Sequence, residues 1–399
     1  MGMNAVPSGE RVHIGFFGRR NAGKSSLINA IAGQRVSIVS DTPGTTTDPV
    51  TKTMELLPLG PVALIDTPGA DDEGALGALR VERTRRVLNR ADIAVLVADA
   101  SAGLTDCDRA LLDAFRARGL PHLIVWNKTD ETRVTPGAGE LCVSAATGEG
   151  IRELRERLAR LPESAPEPPL VRDLLEPGDT AVLVVPIDKA APKGRLILPQ
   201  QQVIRDALEA GAMPLVTRDS ELPHALEALR EPPRMVVTDS QAFARVSALV
   251  PESVPLTSFS ILMARHKGLL EDAVRGAAAL EGLRDGDRVL VAEGCTHHRQ
   301  CEDIGTVKLP AWLRAYTGRT LGFTASSGAD FPDDLSPYAL ILHCGGCMLN
   351  ARELLFRARC ARDAGVPMTN YGVAIAQMNG ILRRSLSVFP SLEALLPRK

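Results

Sequence analysis

The run Val12-His-Ile-Gly-Phe-Phe17 followed by Gly18-Arg-Arg-Asn-Ala-Gly-Lys-Ser25 decides the fold of the first part of the chain. An apolar run of this length closed by a glycine reads as a buried strand, and a helical pattern continues through Ala32. A glycine-rich loop between a buried strand and a helix turns its backbone N–H groups inward and cradles phosphate. Gly18, Asn21, Ala22, Gly23 and Ser26 belong to that cradle, Lys24 reaches the β and γ oxygens, and Ser25 holds magnesium.

Outward from this loop, each further apolar run delivers a polar group. Val62-Ala-Leu-Ile65 leads to Asp66-Thr-Pro-Gly69, where the acid holds magnesium through water and the glycine N–H senses the γ phosphate. Ile93 to Val97 is another strand, and Leu123-Ile-Val-Trp126 runs into Asn127-Lys128-Thr-Asp130. A carboxylate at Asp130 accepts two hydrogen bonds from guanine, a pairing adenine cannot offer. Ser144 and Ala145, after the Leu141-Cys-Val strand, back the base.

In this order the motifs resemble the translation-factor-like small GTPases, which implies GTP and magnesium as cofactors and GTP hydrolysis as the activity. Two departures from the Ras pattern follow. Ala70 stands where Ras-like proteins carry the water-orienting glutamine, and no arginine finger is assigned. Asn21 is similar to the asparagine of potassium-activated GTPases, which implies that it ligates potassium. By the same resemblance Gly44-Thr-Thr-Thr-Asp48 is the first switch, with Thr46 as its magnesium ligand and Thr45 and Thr47 as alternatives. The catalytic set is then Lys24, Asn21, Thr46, Asp66 and Gly69. The plain alternative for Asn21 is a small polar residue placed for its turn propensity.

A chain of 399 residues has room for two or three domains, and 45% hydrophobic with 24% charged residues is ordinary for a soluble protein. The net charge of -2 gives no general attraction to nucleic acid or acidic membrane. Seven cysteines scattered over this length imply no disulfide scaffold, and no run reaches the length of a membrane span. The start of the chain lacks the apolar core of a signal peptide, so a cytoplasmic protein with reduced thiols is expected.

Pro162-Glu-Ser-Ala-Pro-Glu-Pro-Pro169 holds four prolines in eight residues and reads as a semi-extended spacer. Beyond it, Ala181 to Val185, Pro214 to Val216 and Met235 to Val237 read as short strands alternating with helices over Val203 to Ala210 and Leu222 to Leu229. That pattern predicts a small α/β domain with parallel strands. Lacking a phosphate loop or clustered metal ligands, it is expected to transmit or dimerise.

The last third carries strands near Arg288 to Ala292, Leu321 to Thr324, Tyr338 to Leu342 and Val366 to Thr369, with a helix over Leu349 to Ala364. Two strand ends bear soft ligands: Cys295-Thr-His297 after the first, and His343-Cys-Gly-Gly-Cys347 after the third, with 45 residues between His297 and His343. Thiols near the start of a helix are expected to have lowered pKa values, and Gly345 with Gly346 lets the backbone curl so that the sulfurs converge. Cys295, Cys344 and Cys347 with His297 or His343 suit a tetrahedral zinc site, and the three thiolates alone suit an iron-sulfur cluster with an open iron. The plain alternative is that the cysteines are small buried hydrophobes and the histidines satisfy local hydrogen bonds. Cys301 or Glu302 could supply a further ligand, whereas Cys107, Cys142 and Cys360 need no metal.

The joint pattern resembles one family, the FeFe-hydrogenase maturation GTPases known as HydF. The resemblance implies an α/β chain with a P-loop small-GTPase domain over 1–162, a linker over 163–170 and two further α/β domains. These are a middle dimerisation domain over 171–265 and a cluster domain over 266–399. It further implies that Cys295, Cys344 and Cys347 bind a 4Fe-4S cluster whose fourth position is exchangeable, with His297 and His343 as candidates for that position. The implied role is a homodimeric scaffold that receives a diiron precursor made with radical-SAM maturases and delivers it to apo FeFe-hydrogenase, without nucleic-acid or membrane partners. The competing expectation is an RNA-linked or signalling GTPase with a structural Cys/His zinc module.

Overall fold

The computed structural model describes residues 8–33, 51–69, 75–161, 168–187, 196–294, 304–328 and 330–396. Thr45, Thr46, Thr47, Ala70, Cys295, His297, Cys301 and Glu302 lie outside these residues. The chain divides into two compact units, Met1–Ala165 and Pro166–Lys399.

The first unit contains one six-stranded sheet. Its strands are β1 (Val12–Phe17), β2 (Thr51–Leu56), β3 (Gly60–Asp66), β4 (Ile93–Asp99), β5 (His122–Asn127) and β6 (Leu141–Cys142), in the order β2-β3-β1-β4-β5-β6. All neighbours are parallel except β2, which pairs antiparallel with β3. Every residue of β4 is buried, as expected of a central parallel strand covered on both faces. Helix Asp106–Ala117 is started by a capping box, in which Thr105 and Asp108 exchange side-chain and backbone hydrogen bonds. The parallel strands all end at one edge of the sheet, and the polar motifs of the sequence follow those ends.

The second unit contains two parallel sheets. One holds β7 (Thr180–Val184), β8 (Met213–Thr217), β9 (Met235–Thr238) and β10 (Leu256–Ser258) in the order β10-β9-β7-β8. The other holds β11 (Arg288–Glu293), β12 (Gly322–Ser327), β13 (Leu340–His343) and β14 (Met368–Asn370) in the order β12-β11-β13-β14. The sequence reading places the strands of this unit to within a few residues but misses β10, a three-residue strand too short for its periodicity to register.

Apolar side chains of both sheets, among them Val182, Val237, Val289 and Leu342, join in one continuous core with helix Phe259–His266. The domain boundary expected at residue 265 therefore falls inside a buried helix. Close packing at the second sheet depends on Gly276, where a Cβ would lie 2.0 Å from the carbonyl oxygen of Met368. In that sheet the chain reverses its direction of travel between β11 and β13, and such a switch point opens a crevice at the carboxyl ends of the two strands.

Candidate functional site

In the first unit the phosphate loop leaves β1 and enters helix Lys24–Ala32. Asn21 and Gly23 both take left-handed backbone, with φ of 60° and 89°. Asparagine is among the few residues with a side chain that tolerate this conformation, which is one reason for its presence there. Lys24 is buried, and its Nζ donates to the carbonyl oxygens of Gly18 and Arg19 at 2.9 and 2.7 Å. A Cβ at Gly69 would stand 2.6 Å from the backbone nitrogen of Arg20, so the Asp66-to-Gly69 turn lies directly against the loop.

Ser25 Oγ donates to Asp66 Oδ2, and Asp66 Oδ1 is buried without a hydrogen-bond partner among the described residues. Burial pushes the Asp66 carboxyl above its usual range, while the Ser25 hydrogen bond and the charges of Lys24 and Lys52 pull the other way. A hydroxyl beside a carboxylate with an unsatisfied oxygen fits a magnesium ion, which favours oxygen ligands.

The base-binding motifs are tied to the same loop. Asn127 Nδ2 donates to Ala22 O at 2.9 Å, and Asn127 Oδ1 accepts the backbone N–H of Ala145 at 3.0 Å. Ser144 is fully buried and accepts from the N–H of Thr147, while Asp130 and Ser26 are exposed. Sequence reasoning missed Asp99, at the end of β4. Its Oδ2 lies 2.8 Å from Lys128 Nζ and 3.2 Å from Arg19 Nη2, joining the base-binding motif to the phosphate loop. Burial alone would raise its carboxyl, but hydrogen bonds from Lys128 and Ser101 hold it well below the usual carboxylate range. The available signal was an acid ending a wholly apolar strand.

In the second unit the cysteine loop leaves β13 at the switch point. The backbone N–H of Cys344 donates to Ala292 O at 2.8 Å, and Cys344 Sγ accepts the N–H groups of Gly294 at 3.1 Å and Gly346 at 3.4 Å. Gly346 has φ of 61°, the left-handed turn that curls the loop, and Gly345 has nothing within 4 Å of the place its Cβ would take. A buried sulfur that accepts two backbone N–H groups next to an exposed glycine fits a thiolate ligand of a metal cluster. Among the described residues, no three His, Cys, Asp or Glu side chains converge into a metal site.

Two expectations change. Burial pushes the Cys344 thiol up; the Gly294 and Gly346 N–H groups pull it down, and Cys347 and Glu293 add to the rise. The helix expected to lower it begins only at Ala351, capped by Asn350, and the N–H groups that do bond the sulfur come from Gly294 and Gly346 instead. His343 is buried in the crevice with its Nδ1 2.7 Å from Cys344 O and its Nε2 3.2 Å from Arg357 Nη1. Arginine donates only, so Nε2 is the acceptor and Nδ1 carries the proton. Both ring nitrogens are thereby used, and in this arrangement His343 holds the loop instead of offering a lone pair to metal. Burial first, then the charge of Arg357 with a smaller part from Lys267, pushes its pKa down to about 3, although the hydrogen bond to Cys344 opposes this.

The sequence reading also missed the supports of this loop. Arg357 is 1% exposed, pairs with Glu353 at 3.0 Å, and donates to Gly328 O at 2.6 Å. Lys267 Nζ donates to Gly346 O and Leu349 O, each at 2.7 Å. Cys360 packs against a core that includes Leu290 and Ile341.

Residues 13–128 match the family described as 50S ribosome-binding GTPase, residues 170–268 the Hydrogen maturase F dimerization domain, and residues 271–388 the Hydrogen maturase F tetramerization domain. The tRNA modification GTPase MnmE of Synechococcus sp. (strain JA-3-3Ab) is 42% identical over 168 residues, which are 40% of this chain and 36% of that protein. GTPase Der of Rhizobium meliloti (strain 1021) is 34% identical over 168 residues, 39% of this chain and 35% of that one. The chain thus spans about a third of the length of the curated relatives it matches. Among solved structures, the G domain of the T. maritima FeoB iron transporter is 23% identical, covering 38% of this chain and 99% of that one at a TM-score of 0.31. Among the described residues no helix is long and apolar enough to cross a membrane. The two maturase matches lie in series behind a P-loop GTPase domain and together take in more than half of the residues, so the chain belongs to the hydrogen maturase F family.

Proposed function

We propose that this chain is a cytoplasmic, homodimeric GTP-hydrolysing scaffold that binds a 4Fe-4S cluster through Cys295, Cys344 and Cys347. In this reading it carries a diiron precursor, received from radical-SAM maturases, to apo FeFe-hydrogenase. The observation that carries the reading is the hydrogen bond from Gly294 to Cys344 Sγ at 3.1 Å. Cys295 follows Gly294 by a single peptide bond, which supports a reading in which the two cysteine motifs serve one cluster. A cluster held by three thiolates keeps one iron free for exchange, which is the chemistry a carrier requires.

For the nucleotide, Ser25, Asp66 and Thr46 would hold magnesium and Asn21 potassium, while Lys24 and the loop N–H groups bind the phosphates. The bound cations would supply positive charge against the oxygens of the transferring phosphate. Nucleotide state would order or release Gly44 to Asp48 and the turn after Asp66, biasing contacts with partners. The match to a dimerization domain supports self-association, as does β8, an open edge strand with Met213 and Val216 exposed.

The test is Cys344→Ser in the full chain. It should abolish iron retention while GTP hydrolysis continues, and unchanged iron content would remove the assignment. The rival reading, a zinc-stabilised module on an RNA-linked or signalling GTPase, gains if the wild-type chain purifies with zinc and no iron-sulfur signal.

A further inference from the structure

The two sheets of the second unit follow the same path. The orders β8-β7-β9-β10 and β12-β11-β13-β14 are equivalent, and every neighbour is parallel in both. The registers coincide: Val182 pairs with Val236 as Leu290 pairs with Ile341, and Thr238 pairs with Ser258 as His343 pairs with Asn370. Gly178-Asp179 and Gly286-Asp287 enter the first strands alike, each aspartate accepting an N–H three residues back at 2.8 Å, from Glu176 and Arg284.

The helices after the fourth strands also end alike. Lys267, Gly268 and Leu269 bond back to Met263, Arg265 and Ala264, as Asn379, Gly380 and Ile381 bond back to Ile375, Gln377 and Ala376. Over this stretch Thr257-Ser-Phe-Ser-Ile-Leu-Met-Ala-Arg-His-Lys-Gly-Leu-Leu270 aligns without a gap with Thr369-Asn-Tyr-Gly-Val-Ala-Ile-Ala-Gln-Met-Asn-Gly-Ile-Leu382. Shared order, register, turns and sequence mark an internal repeat.

The copies differ where the cysteine loop sits. Cys344 stands where the first copy has Asp239, and Gly346 where it has Gln241. Gly294 stands where the first copy has Pro186, which has no N–H to give a sulfur. The fourth difference lies at the helix end. Asn379 of the second copy turns its amide onto Ile375 O of its own helix, at 2.8 Å. Lys267, at the same position of the first copy, reaches instead to Gly346 O and Leu349 O on either side of Cys347. It is buried and lines one cavity with His343 and Cys344.

We propose that the second unit is a tandem duplication in which the first copy lends Lys267 to the cysteine loop of the second, as a positioning residue that fixes the loop and sets a positive charge beside the thiolates. This deepens the cluster reading and rests on it. It makes the middle region part of the site, although the match to the dimerization domain, residues 170–268, takes in Lys267.

The test compares full-length wild type, Lys267→Met and Lys267→Arg after anaerobic reconstitution with ferrous iron and sulfide, with the fold checked by circular dichroism. Residues that orient metal ligands change affinity by about 10- to 100-fold, so Lys267→Met should lose iron to a chelator that much more readily. Any cluster it keeps should have a lower midpoint potential, because a nearby positive charge favours the reduced form. Lys267→Arg keeps the charge and should keep the potential. Wild-type affinity and potential in Lys267→Met overturn the proposal. Where Lys267→Met fails to fold, a potential in Lys267→Arg that departs from wild type overturns the charge role by itself. A wild-type chain that takes up no cluster overturns the functional reading instead, a result distinct from a loaded wild type matched by its variants.

Discussion

The backbone N–H of Gly294 donates to the sulfur of Cys344 at 3.1 Å, across fifty residues of chain. Strand pairing produces this meeting: β11 and β13 are neighbours with Ala292 opposite His343, so the residues just beyond each strand end emerge together. The crevice is therefore a property of the sheet topology, and the chemistry comes from what the chain places at the two strand ends.

The shape of the cysteine loop should depend on one of its glycines and not on the other. At Gly346, with φ of 61° and Leu354 side-chain atoms 2.8 Å from a Cβ, Gly346→Ala should destabilise the metal-free second unit by about 1–2 kcal/mol in a denaturant titration. Gly345→Ala has open space and should change stability by less than about 0.5 kcal/mol. Equal effects from the two would show that the loop is not held as described.

His13 gives the first unit an acid-sensitive core. Burial, followed by the charges of Arg90 and Arg11, lowers its pKa from 6.5 to about 4. The unfolded chain therefore binds the proton first: stability is full above about pH 6.5 and is lost progressively as pH falls toward 4, by roughly 3 kcal/mol in all. His13→Leu should flatten that limb of the stability-pH profile, measured by denaturant titration between those values. A profile identical to wild type would contradict the assignment.

Asp99 should matter for both stability and nucleotide binding. Its carboxylate holds Lys128 and Arg19, and with a depressed pKa its contribution is present above about pH 4 and lost below it. Asp99→Asn keeps the size but removes the charge, and should cost about 1–2 kcal/mol near neutral pH. It should also weaken guanine-nucleotide affinity, read by fluorescent-nucleotide titration, because Lys128 and the phosphate loop lose their common anchor. Unchanged affinity with unchanged stability would show the pairing to be incidental.

The cation reading of Asn21 is open to a simple measurement. Hydrolysis should be faster in potassium than in sodium at matched ionic strength, and Asn21→Ala should remove that difference. A wild-type rate indifferent to the cation would leave Asn21 with its conformational role alone, for which its φ of 60° is sufficient reason.

The nucleotide site was legible in the sequence because its contacts are local to motifs. The strand before Gly18, the one before Asp66 and the one before Asn127 are buried apolar runs, and the polar residues follow where such strands stop. The cysteine site was legible only as a list of soft ligands. Its supports come from afar: Lys267 lies 79 residues before Gly346, and Arg357 faces His343 from a helix. A charged side chain in an amphipathic pattern gives no sign that it will turn inward, so neither could be read ahead of the fold. The internal repeat escaped for a related reason. Its copies share strand order and hydrogen bonds, while their residues agree chiefly in apolar character, which any two α/β halves have in common.

The most direct test of the central claim is electron paramagnetic resonance of the full chain, purified anaerobically and reduced, with iron and sulfide measured on the same sample. A 4Fe-4S signal that perturbs on adding an exogenous ligand, and that vanishes in each of Cys295→Ser, Cys344→Ser and Cys347→Ser, is the predicted result. A chain that carries zinc without such a signal, or one whose cluster survives the loss of Cys295, would contradict it.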